Sequence, residues 1–189
     1  MDSVTRVAGQ WLQRQAGAEL DQVVAQIAEE LDRDFKVFRK DSPKGGVVKI
    51  LEGRRAVGWV YATDLHMTSQ EKDDHAMEQV RSGIPPLPRR RRASYTTSQC
   101  RTDFDTLTSK HPQIQNLWFI GHTMLDVELR RRGLGNLFYA EIIQMATKHR
   151  AAIGPGVCAG EPTKPAAFRV WNSIRRRYPH EGFLVWGRN

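Results

Sequence analysis

Cysteine is scarce. Cys100 and Cys158 are the only two, too few for a disulfide framework or a four-cysteine zinc site, so a reducing cytoplasm is the expected setting. Long apolar runs are missing too. No window reaches the ~18 uninterrupted apolar residues of a membrane-spanning helix, and the N-terminus lacks the charged-then-apolar order of a secretion signal. The expectation is a soluble, unexported protein with no membrane partner. The six histidines are scattered, and Asp73-Asp74-His75 lies in a polar stretch without a second cluster, so no metal site is expected. No internal repeat is present.

The chain does have enough apolar residues, 40% of 189, to build the core of one domain, and an arginine surplus that carries the net charge to +8. The arginines cluster at Arg89 to Arg92, Arg130 to Arg132 and Arg175 to Arg177. Such clusters favour an anionic partner: the phosphates of a coenzyme, a nucleic acid or an acidic protein face.

The middle cluster sits in the most informative stretch. Leu117 to Val127 is apolar and β-branched and reads as a strand, whereas Leu134, Leu137, Phe138, Ile142, Met145 and Ala146 repeat at helical spacing. Between them lies Glu128-Leu129-Arg130-Arg131-Arg132-Gly133-Leu134-Gly135. A strand therefore turns into a helix through two glycines whose backbone a ligand can approach, and the helix start offers unpaired N–H groups and the positive end of its dipole. Neither the Gly-Lys-Ser/Thr of a nucleotide-triphosphate loop nor the third glycine of a dinucleotide fold is present. The pattern Arg130-x-x-Gly133-x-Gly135, after a strand with Val127 and before an apolar helix, resembles the coenzyme A pyrophosphate loop of the GNAT superfamily of N-acetyltransferases.

The rest of the chain is consistent with that resemblance to different degrees. Residues 4 to 16 predict a short helix that Gly17 interrupts, and Leu20, Val23, Val24, Ile27 and Leu31 form the stripe of a second, packed helix ending near Arg33. Phe35 to Phe38 is a short strand candidate. Val47 to Leu51 and Ala56 to Ala62 form a hairpin whose Val57-Gly58-Trp59 resembles the family's second and third strands. From Thr63 to Asn116 the pattern is irregular: a polar surface helix is expected at Ser69 to Ser82, followed by Ile84-Pro85-Pro86-Leu87-Pro88 and Arg89 to Arg92, where proline excludes regular structure. After the helix that ends near Lys148 to Arg150, Ile153 to Gly160 reads as a turn leading into a short strand with small residues. A helix then starts at Pro165, and Leu184-Val185-Trp186 supplies a last strand. The implied fold class is α/β (α+β): a GNAT-like mixed, mostly antiparallel central sheet flanked by helices. It is organised as a single acyltransferase domain over 1–189, with N-terminal helices at 1–33, an insertion at ~66–116 before the coenzyme-binding strand, and a coenzyme-binding core at ~117–186.

The resemblance implies an acyl-CoA-dependent N-acyltransferase, with acetyl-CoA the first-choice cofactor and a primary amine attacking the thioester directly. Val127, Leu129, Arg130, Arg131, Arg132, Gly133, Leu134 and Gly135 are the implied coenzyme-binding residues, with the backbone N–H of Val127 as oxyanion donor. Lys164, just before the helix that starts at Pro165, and Trp171 within it join them, at the positions where the family usually carries asparagine and tyrosine. A lysine-like amine is neutral in only about one molecule in 2,500 at pH 7, so a base or a desolvating pocket is needed. On the predicted strand, alternation sends His122, Met124, Asp126 and Glu128 to one face, which makes Asp126, Glu128 and His122 the base candidates; a carboxylate paired with arginine and a structural histidine are the alternatives. Because an indole is not a practical acid, Trp171 cannot protonate the leaving thiolate, and Tyr178, an inward-facing Tyr139 or water stands in. The acceptor amine is open, and the run Arg89, Arg90, Arg91, Arg92 would suit one carried by a nucleic acid. The alternative is a GNAT-fold nucleic-acid-binding protein without transferase activity. Family members often dimerise, so a homodimer is a further expectation.

Overall fold

Helix α1 runs unbroken from Ser3 to Leu31. The break expected at Gly17 does not occur, because tertiary contacts outweigh the ~1 kcal/mol by which glycine weakens a helix. The Arg39 guanidinium donates to the Gly17 carbonyl at 3.1 Å, and the place a Gly17 Cβ would occupy is 3.4 Å from Glu141 Oε1. The computed structural model describes residues 3–64, 102, 104–154 and 165–177, with side chains from Gly17 onward in α1. In its second half α1 buries the predicted stripe, Leu20, Val24 and Ile27, against the main core.

Three antiparallel strands follow: β1 (Phe35–Ser42), β2 (Gly45–Glu52) and β3 (Arg55–Asp64). β1 is twice the expected length because its alternating exposed residues, Lys36, Phe38 and Lys40, still pair in register with β2. A short helix, α2, covers residues 104–110; it falls in a region where no regular element was expected. Strand β4 (Asn116–Leu125) then pairs antiparallel with β3, the chain crosses over through α3 (Leu134–Lys148), and β5 (Ala151–Gly154) pairs parallel with β4. β5 thus begins before the predicted Ile153 turn, immediately behind the helix. Helix α4 (Pro165–Arg177) completes the described chain.

The result is a mixed α/β architecture around a five-stranded, mostly antiparallel sheet in the order β1-β2-β3-β4-β5. α3 packs on β2, β3 and β5, α1 packs on α3 and β1, and α4 packs on α3. Between helices and sheet lie Val48, Ile50, Val60, Trp118, Phe138 and Ile142, all fully buried; burying a side chain of this size contributes ~2–3 kcal/mol. On the opposite face, Leu117 and Ala152 pack with Phe104 and Leu107 of α2. Among the described residues no helix is long and apolar enough to cross a membrane.

One irregularity in β4 sets what faces the site. The β3 partners jump from Ile120 to His122, leaving Gly121 as the extra residue. A Cβ at Gly121 would lie 2.8 Å from the Tyr61 ring, closer than any real Cβ contact, so only glycine admits that ring. The bulge reverses the alternation. Trp118 and Ile120 face the helices, whereas His122 stacks on Trp59 and Met124 packs with Trp59 and Tyr61 on the other face.

Candidate functional site at the β4–α3 loop

Strand β4 has an antiparallel neighbour on one side and a parallel one on the other. Its pairing with β5 ends at Phe119–Gly154, while β4 continues to Leu125. Among the described residues, the β5 side of Gly121 to Leu125 carries no strand.

The strand stops earlier than predicted. The ladder to β3 ends at the Leu125–Gly58 pair, Asp126 N–H donates to the Val57 carbonyl at 2.8 Å, and Val127–Leu129 forms a 3-10 turn. Val127 is therefore a turn residue with a 75% exposed side chain, and Asp126 and Glu128 do not continue the face that carries His122. The turn's own bonds run from Leu129 N–H to the Asp126 carbonyl and from Arg130 N–H to the Val127 carbonyl, leaving the Val127 N–H outside that pattern. Leu129 is buried, and its side chain anchors the turn in the core rather than lining a ligand surface.

Beyond the turn the backbone twists twice into the left-handed region, at Arg131 (φ 62°) and Gly133 (φ 80°). Gly133 caps α3 with no side-chain hydrogen bond, so the N–H groups of Leu134 and Gly135 begin the helix without intrahelical partners. The space around Gly133 is open: nothing lies within 4 Å of the position a Cβ would take. A Cβ on Gly135 would meet only Val170 Cγ2, at an ordinary 3.5 Å. The fold therefore requires glycine at 133 for its φ and does not require it at 135. An approaching anion is a reason for a bare backbone at both.

The three arginines divide. Arg132 braces the loop, donating from Nε to the Glu128 carbonyl at 2.9 Å and pairing with Glu30 of α1. Arg130 spends only its Nε, on the Leu125 carbonyl at 2.9 Å. Arg131 is exposed. Among the described residues neither Arg130 nor Arg131 pairs with a carboxylate.

The three base candidates are not brought together. Asp126 pairs with Arg55 at 2.6 Å. Glu128 pairs with Arg33, which also grips Glu52 through two donors; Glu52, Glu128 and their short bonds hold Arg33 in its charged form, and Arg33 pulls the Glu52 carboxyl below its ordinary range. His122 Nδ1 accepts from the Trp59 indole N–H at 3.1 Å, with the rings stacked 6.0 Å apart. The neutral imidazole then carries its proton on Nε2, which makes it a donor there and not a base. Arg33, Arg55 and Trp59 are the partners that sequence reading missed. Trp59 lies opposite Lys49 of β2 and Met124 of β4, a register that no local pattern in the sequence signals.

Comparisons with protein-family models, curated proteins and solved structures found no match. The chemistry must come from the geometry of these residues. Trp171, expected against the coenzyme, is instead 1% exposed in the core, edge-on to Tyr139 with ring centroids 5.2 Å apart. Tyr139 is itself buried in the main core, 3% exposed. Its phenol reaches the Thr123 hydroxyl on the part of β4 that β5 leaves unpaired; burial raises its pKa, and the contact with Thr123 partly offsets the rise. Thr123 Oγ1 is itself a buried oxygen with no partner in good hydrogen-bond geometry. Among the described residues no three His, Cys, Asp or Glu side chains are placed to hold a metal ion. Lys164, Tyr178, the Arg89 to Arg92 run, the helix expected at Ser69 to Ser82 and the last strand at Leu184 to Trp186 lie outside the described residues.

Proposed function

We propose that this chain is a GNAT-type N-acyltransferase that moves an acetyl group from acetyl-CoA to a primary amine. The observation that carries the reading is the loop: left-handed Gly133 and a helix start whose N–H groups at Leu134 and Gly135 have no intrahelical partner, beside exposed Arg131 and Arg130, neither of which pairs with a carboxylate among the described residues. That donor set suits a diphosphate. Bound acetyl-CoA supplies a thioester whose acyl carbon an amine can attack, forming the C–N bond as the C–S bond breaks.

The chain's own residues then have three tasks. The Val127 N–H, unused by the turn, is a donor for the charge that develops on the acyl oxygen. Asp126 is the best-placed base of the three candidates: it is anchored by its backbone to Val57 at the end of β4, and its exposed pair with Arg55 is worth only ~0–1 kcal/mol, so an incoming ammonium can displace the arginine and lose a proton to the carboxylate. Tyr139, kept protonated by burial, is the candidate donor to the leaving sulfur.

Titration calorimetry with acetyl-CoA and CoA tests the reading directly. Saturable binding below millimolar ligand is expected, and absence of heat at millimolar ligand ends it. Mass spectrometry of a nucleic-acid, protein and small-amine panel after incubation with labelled acetyl-CoA then identifies the acceptor.

A further inference from the structure

We infer that the outward face of α4 is a docking surface for a nucleic-acid duplex. The helix buries one side, with Trp171 and Ile174 in the core and Val170 packed against it. The other side presents Arg169, Asn172 and Arg176, all exposed. Spacings of three, four and seven residues put these three on one face, with the arginines about 10 Å apart along the axis. α4 contains no aspartate or glutamate.

The arginines divide by whether a carboxylate holds them. Arg33, Arg39, Arg55 and Arg132 each sit against a carboxylate. Among the described residues Arg169 and Arg176 have none, and Arg176 uses one nitrogen to hold the Asn172 carbonyl of its own helix at 3.2 Å, which directs its guanidinium along the helix face. Two guanidinium groups free of any carboxylate among the described residues, bracketing an exposed carboxamide, fit phosphates on either side of a groove, with an amide able to read a base edge between them. A membrane surface is a poorer fit: a helix that binds a bilayer inserts its apolar side, and here that side is already buried in the core. The net charge of +8 favours approach to a polyanion. The face also starts beside the loop, because Val170, adjacent to Arg169, lies against Gly135. The inference does not depend on acetyl transfer, since the surface is complete without a coenzyme.

The test is fluorescence anisotropy of the full chain, without coenzyme, on dye-labelled duplex DNA, duplex RNA and single strands across stepped sodium chloride. The parent should bind at least one duplex, with affinity falling as salt rises. Arg169→Glu/Arg176→Glu should weaken that binding at least ~10-fold and reduce the slope of log affinity on log salt by about two, near 0.9 per lost phosphate contact. Arg54→Glu/Arg150→Glu makes the same charge change at exposed residues elsewhere and should stay within ~3-fold. The milder Arg169→Ala/Arg176→Ala pair, checked by thermal melting, guards against misfolding. Equal losses in the two glutamate pairs, no duplex binding by the parent at low salt, or binding confined to single strands or anionic vesicles would overturn the assignment.

Discussion

Arg39 and Glu141 offer the sharpest test of what holds α1 to the rest of the fold. Glu141 projects from the middle of α3 with its side chain 5% exposed, and Arg39 reaches it from β1 with two donors at 2.9 and 3.1 Å. The same guanidinium donates to the Gly17 carbonyl of α1 and to Asp21 at 3.0 Å, so one side chain joins two helices and a strand. Arg39→Met removes every counter-charge from a buried carboxylate, and breaking a buried pair from that side costs ~3–5 kcal/mol. For a domain of this size that is a fall in Tm of roughly 6–20 °C. Glu141→Met should cost less, ~1–2 kcal/mol, because Arg39 keeps Asp21, the Gly17 carbonyl and some contact with water. The double variant should be more stable than Arg39→Met alone, since an apolar pair needs no partner. Urea titration with unchanged m-values reads all three. Equal losses in the single variants that add in the double would show that the bridge carries no coupling and refute this account.

At the loop, Gly133→Ala should destabilise by ~1–2 kcal/mol from its left-handed φ alone, since the space around it is open. Gly135→Ala should leave stability nearly unchanged yet weaken acetyl-CoA binding ~10-fold in calorimetry; unaltered affinity would remove the anion cradle from consideration. Tyr139→Phe should keep coenzyme affinity and cost at most ~1 kcal/mol of stability while lowering kcat ~100-fold, and a full rate would exclude the phenol as proton donor. In acid, Asp41 should matter. Burial opposes its ionisation, but hydrogen bonds from Lys148 (2.8 Å) and His149 (2.6 Å) bring its pKa below the ordinary value of 3.8. A depressed carboxylate stabilises the fold above its unfolded pKa and stops doing so as pH falls through the folded one. Asp41→Asn should therefore lower stability at neutral pH and show a shallower decline below about pH 4 in pH-stepped denaturation.

Periodicity made the second half of α1, the β2–β3 hairpin and the β4–loop–α3 passage legible, because each is patterned by local burial. What failed depended on partners distant in sequence. Gly17 looks like a helix break until Arg39 and Glu141 are beside it. The bulge at Gly121, where the Tyr61 ring lies across the glycine, has no local signal, although His122 and Met124 do share the expected face. Asp126 and Glu128 read as strand carboxylates, but β4 leaves the sheet after Leu125 although β3 continues to Arg55, because Val127–Leu129 winds into a 3-10 turn instead. Trp171 occupies the position of a coenzyme contact in the sequence pattern, and the packing of Tyr139 draws it into the core.

The sheet order has a consequence for how the molecule assembles. Because β1 to β5 lie side by side in chain order, the β1–β2–β3 meander closes through tight turns and can form early, whereas β3–β4 pairing must first close the long connection between Asp64 and Asn116, and β4–β5 pairing must await the α3 crossover. The loop and the strand that lead into the candidate site lie on the late side of that division, whereas the side chains that brace them, Glu30, Arg33, Arg55 and Trp59, lie on the early side. Slow or incomplete docking of β4 would leave a folded N-terminal sheet without a site, so the yield of active protein should follow the formation of the β3–β4 ladder more closely than total secondary structure does.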